Sequence, residues 1–317
     1  MYIWERRRFF LLIPVLYIPA RAKTLKNIIY IVFFCVGCTY AENKTDGKND
    51  LVNHPTQSNA RLIQNVAYGL NSSQQLDIYF PDSSKKHNRT IVYVHGGAWF
   101  AGDKTEAKHW AEYFQNIGYT FVCINYRLTH TQENYIHPAQ IHDIDAAINF
   151  ILSKSIEWEI QNDKLIIMGA SAGGHLALLY AYKYNYDKKI KLGISLCGIL
   201  DLTDKSLLKA DLGDMNGGSM VSWYIGDTIT NKVEQWKRAS PLYNISQTSV
   251  PTFFVHGKKD EIIPYEQSVK AYKLLQNLKI ASRLILLDSV DHDLLSINLT
   301  EEFNEIHKFI TINLNDK

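Results

Sequence analysis

A β-branched run, Lys164–Met168, meets a helical pattern, Gly173–Tyr184, through Gly169-Ala170-Ser171-Ala172-Gly173-Gly174. A strand that turns this abruptly into a helix leaves no room for side chains beside the bend, which accounts for glycine two residues before and two after the serine. The serine then stands clear at the carboxyl edge of a sheet, with a helix N-terminus behind it to favour developing negative charge. The string G-x-S-x-G alone is weak evidence, because a glycine-rich helix start with an N-cap serine reads the same way. Its position between a strand and a helix is what limits the fold.

The rest of the chain repeats that alternation. Val66–Tyr68 and Leu76–Phe80 read as a lead-in hairpin joined by the turn-prone Gly69–Ser73. Strands are expected at Thr90–Val94, Tyr119–Asn125, Leu192–Cys197, Thr252–Val255 and Arg283–Leu287. Helices are expected at Glu106–Ile117, Ala139–Leu152, Tyr265–Leu278 and Thr300–Ile310; in the second, Ile141, Ile144, Ile148 and Ile151 recur at helical spacing. Strands separated by helices of this length predict an α/β fold: a mostly parallel sheet with helices on both faces. No repeat of solenoid length is visible. An irregular stretch, 201–239, carries Gly213, Gly217, Gly218 and Gly226 beside Trp223, Tyr224 and Trp236, and reads as a cap-like insertion over one end of the sheet.

Chemistry can be assigned along that edge. His95-Gly96-Gly97-Ala98-Trp99 follows the strand Thr90–Val94 directly. Glycines let backbone N–H groups turn inward and approach a substrate oxyanion closely, with the residue after the serine, Ala172, as a further donor. His95 reads as a residue that ties this loop down. A serine nucleophile needs a base, and the base an orienting acid. Asp260 stands after Thr252–Val255 in His256-Gly257-Lys258-Lys259-Asp260, and His292 follows Arg283–Leu287 in Val290-Asp291-His292-Asp293. Glu261 or Asp288 could supply the acid instead, while His256, His142 and His137 fit structural contexts better. Trp99, Trp223 and Tyr224 are candidates for lining a substrate pocket, the alternative being ordinary core or surface aromatics. No H-E-x-x-H or paired-cysteine zinc spacing occurs, so neither metal nor organic cofactor is expected. Ser206-Leu207-Leu208-Lys209 matches S-x-x-K, but the companion motifs of that chemistry are missing.

On these motifs the chain resembles the α/β-hydrolase superfamily, nearest the hormone-sensitive-lipase-like carboxylesterases and the feruloyl-esterase-like and kynurenine-formamidase-like group. The resemblance runs from about residue 65 to the end. It rests on His95–Trp99, Asn125-Tyr126-Arg127-Leu128, Pro138–Asp143, Gly169–Ala177 and the segments around Asp260 and His292. It implies a nucleophile at Ser171, an acid at Asp260 and a base at His292, in the chain order of this fold. The implied oxyanion donors are the N–H groups of Gly97, Ala98 and Ala172. Many lipase-like members carry a third glycine where this chain has Ala98; alanine keeps the N–H and adds a methyl group that narrows the pocket. The expected activity is a serine carboxylesterase acting on small or medium esters through an acyl-enzyme. Alternatives are an amidase of the formamidase or peptidase type, an esterase of acetylated polysaccharides, or a non-catalytic binding protein on a hydrolase scaffold.

Composition bears on location and partners. Arg6, Arg7, Arg8, Arg21, Lys23 and Lys26 face only Glu5 in the first 37 residues, so the 34 basic and 32 acidic residues of the chain leave a mildly acidic body. Such a body has no electrostatic reason to bind nucleic acid. Phe9–Ile18 and Ile28–Gly37 are apolar but too short to span a bilayer, which takes roughly 20 residues. The second precedes Cys35-Val36-Gly37-Cys38-Thr39-Tyr40-Ala41 and resembles a signal peptide, with Cys38 in a lipobox-like setting or Ala41 at an ordinary cleavage site. The expectation is a leader over 1–41, a polar linker over 42–64 and a catalytic domain over 65–317. Export to a periplasmic, lipid-anchored or secreted location follows; an uncleaved membrane anchor or a mis-assigned start is the alternative. Cys123 and Cys197 lie in apolar runs and read as buried free thiols.

Overall fold

A computed structural model describes residues 59–129, 135–161, 164–207 and 220–314. The expected leader, most of the linker, Gly213, Gly217, Gly218 and Lys209 lie outside the described residues.

The strands are β1 (Arg61–Ala67), β2 (Gln75–Phe80), β3 (Thr90–Val94), β4 (Thr120–Ile124), β5 (Leu165–Ala170), β6 (Ile190–Leu196), β7 (Thr252–Gly257) and β8 (Ser282–Leu287). They form one eight-stranded sheet in the order β1-β2-β4-β3-β5-β6-β7-β8. Pairings β1–β2 and β2–β4 are antiparallel; every other pairing is parallel. The linker reading to residue 64 overlaps β1, so the folded domain begins earlier. This edge strand is largely exposed and breaks register between Ile63 and Val66, which erases the apolar alternation a sequence reading needs.

Period-two alternation sorts the central strands between two cores. Val92 and Val94 of β3 and Ile167 of β5 face one; Ile91, Tyr93, Ile166 and Met168 face the other. The first core is covered by helices α2 (Ala139–Ser153), α3 (Ala172–Leu179) and α6 (Glu266–Asn277) through Ile144, Ile148, Leu176, Leu179, Ala271 and Leu275. The second is covered by α1 (Lys108–Asn116) and α7 (Thr300–Asn313) through Trp110, Phe114, Phe303 and Ile306. Helices thus cover both faces, and a sheet buried on both faces favours the continuous apolar runs seen in β3, β4 and β5.

Departures from the sequence reading have local causes. The expected helix Glu106–Ile117 begins as a 3-10 turn, Lys104–Ala107, because Asp103 and Glu106 form a capping box; it ends before Gly118, whose φ is +100°. The expected helix Gly173–Tyr184 opens at Ala172 and widens to π winding over Tyr180–Tyr184. Within the stretch read as irregular, helices α4 (Met220–Ile225) and α5 (Ile229–Ala239) form on either side of Gly226. Val221, Tyr224, Ile225, Trp236 and Ala239 are buried there, so tertiary contact supplies what weak local periodicity does not.

Candidate active site

Ser171 joins β5 to α3 at φ 53° and ψ −123°, a strained conformation for a residue with a side chain. Its glycine neighbours are needed for packing. A Cβ on Gly169 would strike the Gly173 carbonyl, and one on Gly173 would strike the carbonyls of Val94 and His95. The bend therefore packs directly against the end of β3, and a Cβ on Gly96 would lie 3.1 Å from the Ala170 carbonyl oxygen and 3.4 Å from Ser171 Cβ.

Two further loops reach the same edge. Lys258 donates its N–H to Leu287 and Lys259 to Val290, both at 2.9 Å, stitching the loop after β7 to the loop after β8. Gly257 permits this, since a Cβ there would meet the carbonyls of Val290 and Asp291. The result brings three distant side chains together. Ser171 Oγ lies 2.9 Å from His292 Nε2, and His292 Nδ1 lies 2.7 Å from Asp260 Oδ2. Ser171 is half-buried, His292 is 19% exposed, and the Asp260 side chain is covered. The rivals are engaged elsewhere: Asp288 pairs with Lys258, Glu261 and His142 are exposed, and His137 meets the Tyr224 hydroxyl at 2.8 Å. Ser206 is hydrogen-bonded to Asp204.

The electrostatics follow from the same contacts. Burial lifts the Asp260 carboxyl, yet hydrogen bonds from His256 and His292 overcome it and hold the group well below the usual carboxylate range. Burial opposes a charge on His292, but the Cys197 sulfur and the Asp260 carboxylate outweigh it, so the ring binds a proton more tightly than an ordinary histidine. Cys197 is 2% exposed, and its sulfur sits 3.6 Å from the His292 carbonyl. Cys197, Asp260 and His292 offer ligand atoms within 4.8 Å of one another, the one such group among the described residues. The hydrogen bond between His292 and Asp260 already uses two of those ligand groups.

The loop His95–Trp99 is held in an unusual shape. Gly97, Ala98 and Trp99 have φ of 93°, 53° and 61°, two of them at residues that carry a Cβ. The N–H groups of Gly97, Ala98 and Ala172 donate to no protein acceptor among the described residues, which leaves them free for an anionic ligand. Behind the loop, His95 Nδ1 meets the Gly96 carbonyl at 2.8 Å, and its ring stacks on Tyr126 at 4.2 Å. Burial pushes His95 down to about 4, and the ring serves as a neutral brace. The Tyr126 hydroxyl donates to the His95 carbonyl at 3.0 Å, Asn125 Nδ2 donates to Asp103 at 2.7 Å, and Arg127 grips the buried Asp143. The Asn125–Leu128 and Pro138–Asp143 segments are thus the buttress of this loop.

The aromatic pocket reading divides. Trp223 is half-buried, 5.9 Å from the Phe100 ring. Trp99 and Tyr224 are instead core residues, 1% and 0% exposed, stacked at 4.4 Å. Trp99 Nε1 donates to His175 Nδ1 at 3.2 Å, and His175 Nε2 donates to the Ala239 carbonyl at 2.8 Å. Burial pushes His175 down to about 3, consistent with that neutral tautomer. The sequence left these two rings between pocket and core because aromatic residues beside glycine are common to both.

A family model described as BD-FAE matches residues 76–275. Among relatives, the probable carboxylic ester hydrolase LipM of Mycobacterium tuberculosis is 27% identical over 64% of this chain and 49% of its own length. Esterase LipC of the same organism is 26% identical over 69% of this chain and 55% of its own. The chain therefore spans about half the length of these relatives. The kynurenine formamidase of Danio rerio is 24% identical over 78% of this chain and 80% of its own. Among solved structures, a truncated carbohydrate esterase from gut microbiota superposes with a TM-score of 0.68 at 22% identity, covering 83% of this chain and 99% of that one. Esterase B from Lactobacillus rhamnosis gives 0.64 at 19% identity, covering 83% and 89%. These superpositions show a shared fold.

Proposed function

The chain belongs to the BD-FAE family of α/β-hydrolases, and on that premise we propose that it is a carboxylic ester hydrolase with Ser171 as its nucleophile. One observation carries the reading: the unbroken line of hydrogen bonds from Ser171 through His292 to Asp260, at 2.9 and 2.7 Å. His292 Nε2 takes the hydroxyl proton as Ser171 attacks the ester carbonyl, and Asp260 stabilises the imidazolium that forms. The N–H groups of Gly97, Ala98 and Ala172, which donate to no acceptor among the described residues, are the proposed donors to the oxyanion. His292 then protonates the leaving alcohol, and water, activated by the same base, releases the acid.

Replacement of Ser171 by Ala is expected to lower kcat on a short p-nitrophenyl ester by roughly 10⁴-fold or more with the fold intact. A fluorophosphonate probe is expected to label the wild-type protein at Ser171. Turnover by the variant near the wild-type rate, or no labelling, refutes the assignment.

One relative, matched over 80% of its own length, is a kynurenine formamidase, which favours an amide as the second reading. A panel of ester, formamide and acetylated-sugar substrates separates the two. Export through residues 1–41 is part of the proposal, and an intact Met1 on soluble protein counts against it.

A further inference from the structure

Asp260 lies between two imidazoles. Its Oδ2 accepts from His292 Nδ1 at 2.7 Å on the side of Ser171 and from His256 Nε2 at 3.1 Å on the other. Its Oδ1 accepts the N–H groups of Ile262 at 3.0 Å and Ile263 at 2.7 Å. An ionised carboxylate has about four acceptor sites, and here all are filled. His256 is wholly buried near the end of β7. Its Nε2 faces only acceptors, Asp260 Oδ2 and the Ile263 carbonyl at 3.0 Å, so that nitrogen carries hydrogen in either protonation state. Its Nδ1 meets Ser268 Oγ at 2.8 Å, on helix α6, where the serine is 1% exposed. A ring held at both nitrogens cannot turn without stranding buried polar atoms.

We propose that His256, braced by Ser268, is a positioning residue for Asp260: its Nε2–H fixes Oδ2 in line with His292 and shares the carboxylate's charge. His292 then holds its proton less tightly than it would beside a carboxylate bound to one imidazole alone. Removing the His256 donor concentrates the charge on the remaining imidazole and raises the affinity of His292 for a proton, because Oδ1 stays anchored by two backbone amides. The titratable groups facing this carboxylate are His256 from its own strand end, His292 after β8 and Cys197 after β6; Glu261 in the same loop points to solvent. The kinetic consequence rests on the esterase reading, while the electrostatic one does not.

The test compares His256→Phe, which keeps a ring and removes both nitrogens, with His256→Gln, whose amide N–H reaches toward the Nε2 position. With p-nitrophenyl acetate, the Phe variant is expected to lose roughly 10-fold in kcat, within the range one hydrogen bond to a charged group supplies, with KM unchanged. The ascending limb of kcat/KM is expected to move to higher pH, and Gln to restore both values toward wild type. Titration of the His292 ring by NMR reads the same upward displacement without turnover. Failure of wild-type labelling at Ser171 therefore strikes the esterase reading alone. A folded Phe variant in which His292 titrates as in wild type overturns the proposal. So does a loss of kcat that leaves the pH limb in place and that Gln does not restore, since that describes packing only. If the Phe variant does not fold, Ser268→Ala removes the brace without touching Asp260 and is expected to give a smaller displacement in the same direction; no displacement is again a refutation.

Discussion

Replacing Trp99 by Phe separates the anchor of the proposed oxyanion loop from the loop itself. Ala98 and Trp99 occupy positive φ at 53° and 61°, a conformation that costs on the order of 1 kcal/mol or more per side-chain-bearing residue and persists only where surrounding structure imposes it. Among the imposing contacts are those of the indole: the stack on Tyr224 at 4.4 Å, the edge contact with His175 at 5.1 Å and the Nε1–H bond to His175 at 3.2 Å. Phenylalanine removes the N–H and leaves buried His175 Nδ1 without a donor, at about 1–3 kcal/mol. It also empties the space of three ring atoms, for roughly 2 kcal/mol more. The expected destabilisation is therefore about 3–5 kcal/mol by urea unfolding, which a domain of ordinary stability survives. Freed from its anchor, the loop is expected to relax and the Gly97 and Ala98 N–H groups, the proposed oxyanion donors, to shift. Because an oxyanion donor contributes only as charge develops, the loss falls on kcat, by about 10–100-fold, with KM nearly unchanged. The assay is ester hydrolysis well below the variant's unfolding midpoint. A variant that is destabilised as expected yet keeps kcat within twofold of wild type shows that the indole does not hold the hole, and the reasoning fails.

Three other outcomes follow from the geometry. On the proposed mechanism His292 is a base only when neutral, and its proton affinity is raised, so the ascending limb of kcat/KM is expected above the ~6.5 of a free histidine; a limb at or below that value contradicts the contact with Asp260. The same pair affects stability. A raised histidine contributes stability that is present below about pH 6.5 and lost as pH rises through its folded pKa. A depressed carboxylate contributes above about pH 3.9 and loses it as pH falls. As one interaction seen from both partners, the pair contributes most between those limits, and unfolding midpoints of wild type against Asp260→Asn across pH should differ most there. Arg127→Ala leaves the fully covered Asp143 without its cation, held only by the Gln74 amide at 2.7 Å and the backbone N–H of residue 127 at 2.8 Å, and should cost about 3–5 kcal/mol by urea unfolding; a change under about 1 kcal/mol rejects the buttress role.

Much of this was legible in the sequence because it rests on local rules. β-branched runs marked β3 through β8 within a few residues, since a sheet buried on both faces demands continuous apolar strands. Glycine at 169 and 173 marked the bend, because only a missing Cβ permits that approach to β3. That Ser171, Asp260 and His292 come together could be read from the sequence because each follows a strand at one edge. What had no local signature was decided by tertiary contact. His256 looked like an ordinary strand-end histidine until the fold set it and Ser268 behind Asp260. Trp99 and Tyr224 could be read as pocket or core residues until the fold stacked one on the other in the core. Helices α4 and α5 take their stability from burial that no window of residues contains. Periodicity and steric exclusion act between near neighbours and are written into the chain; partnership across the sheet edge depends on which loops meet, and only the folded protein brings them together.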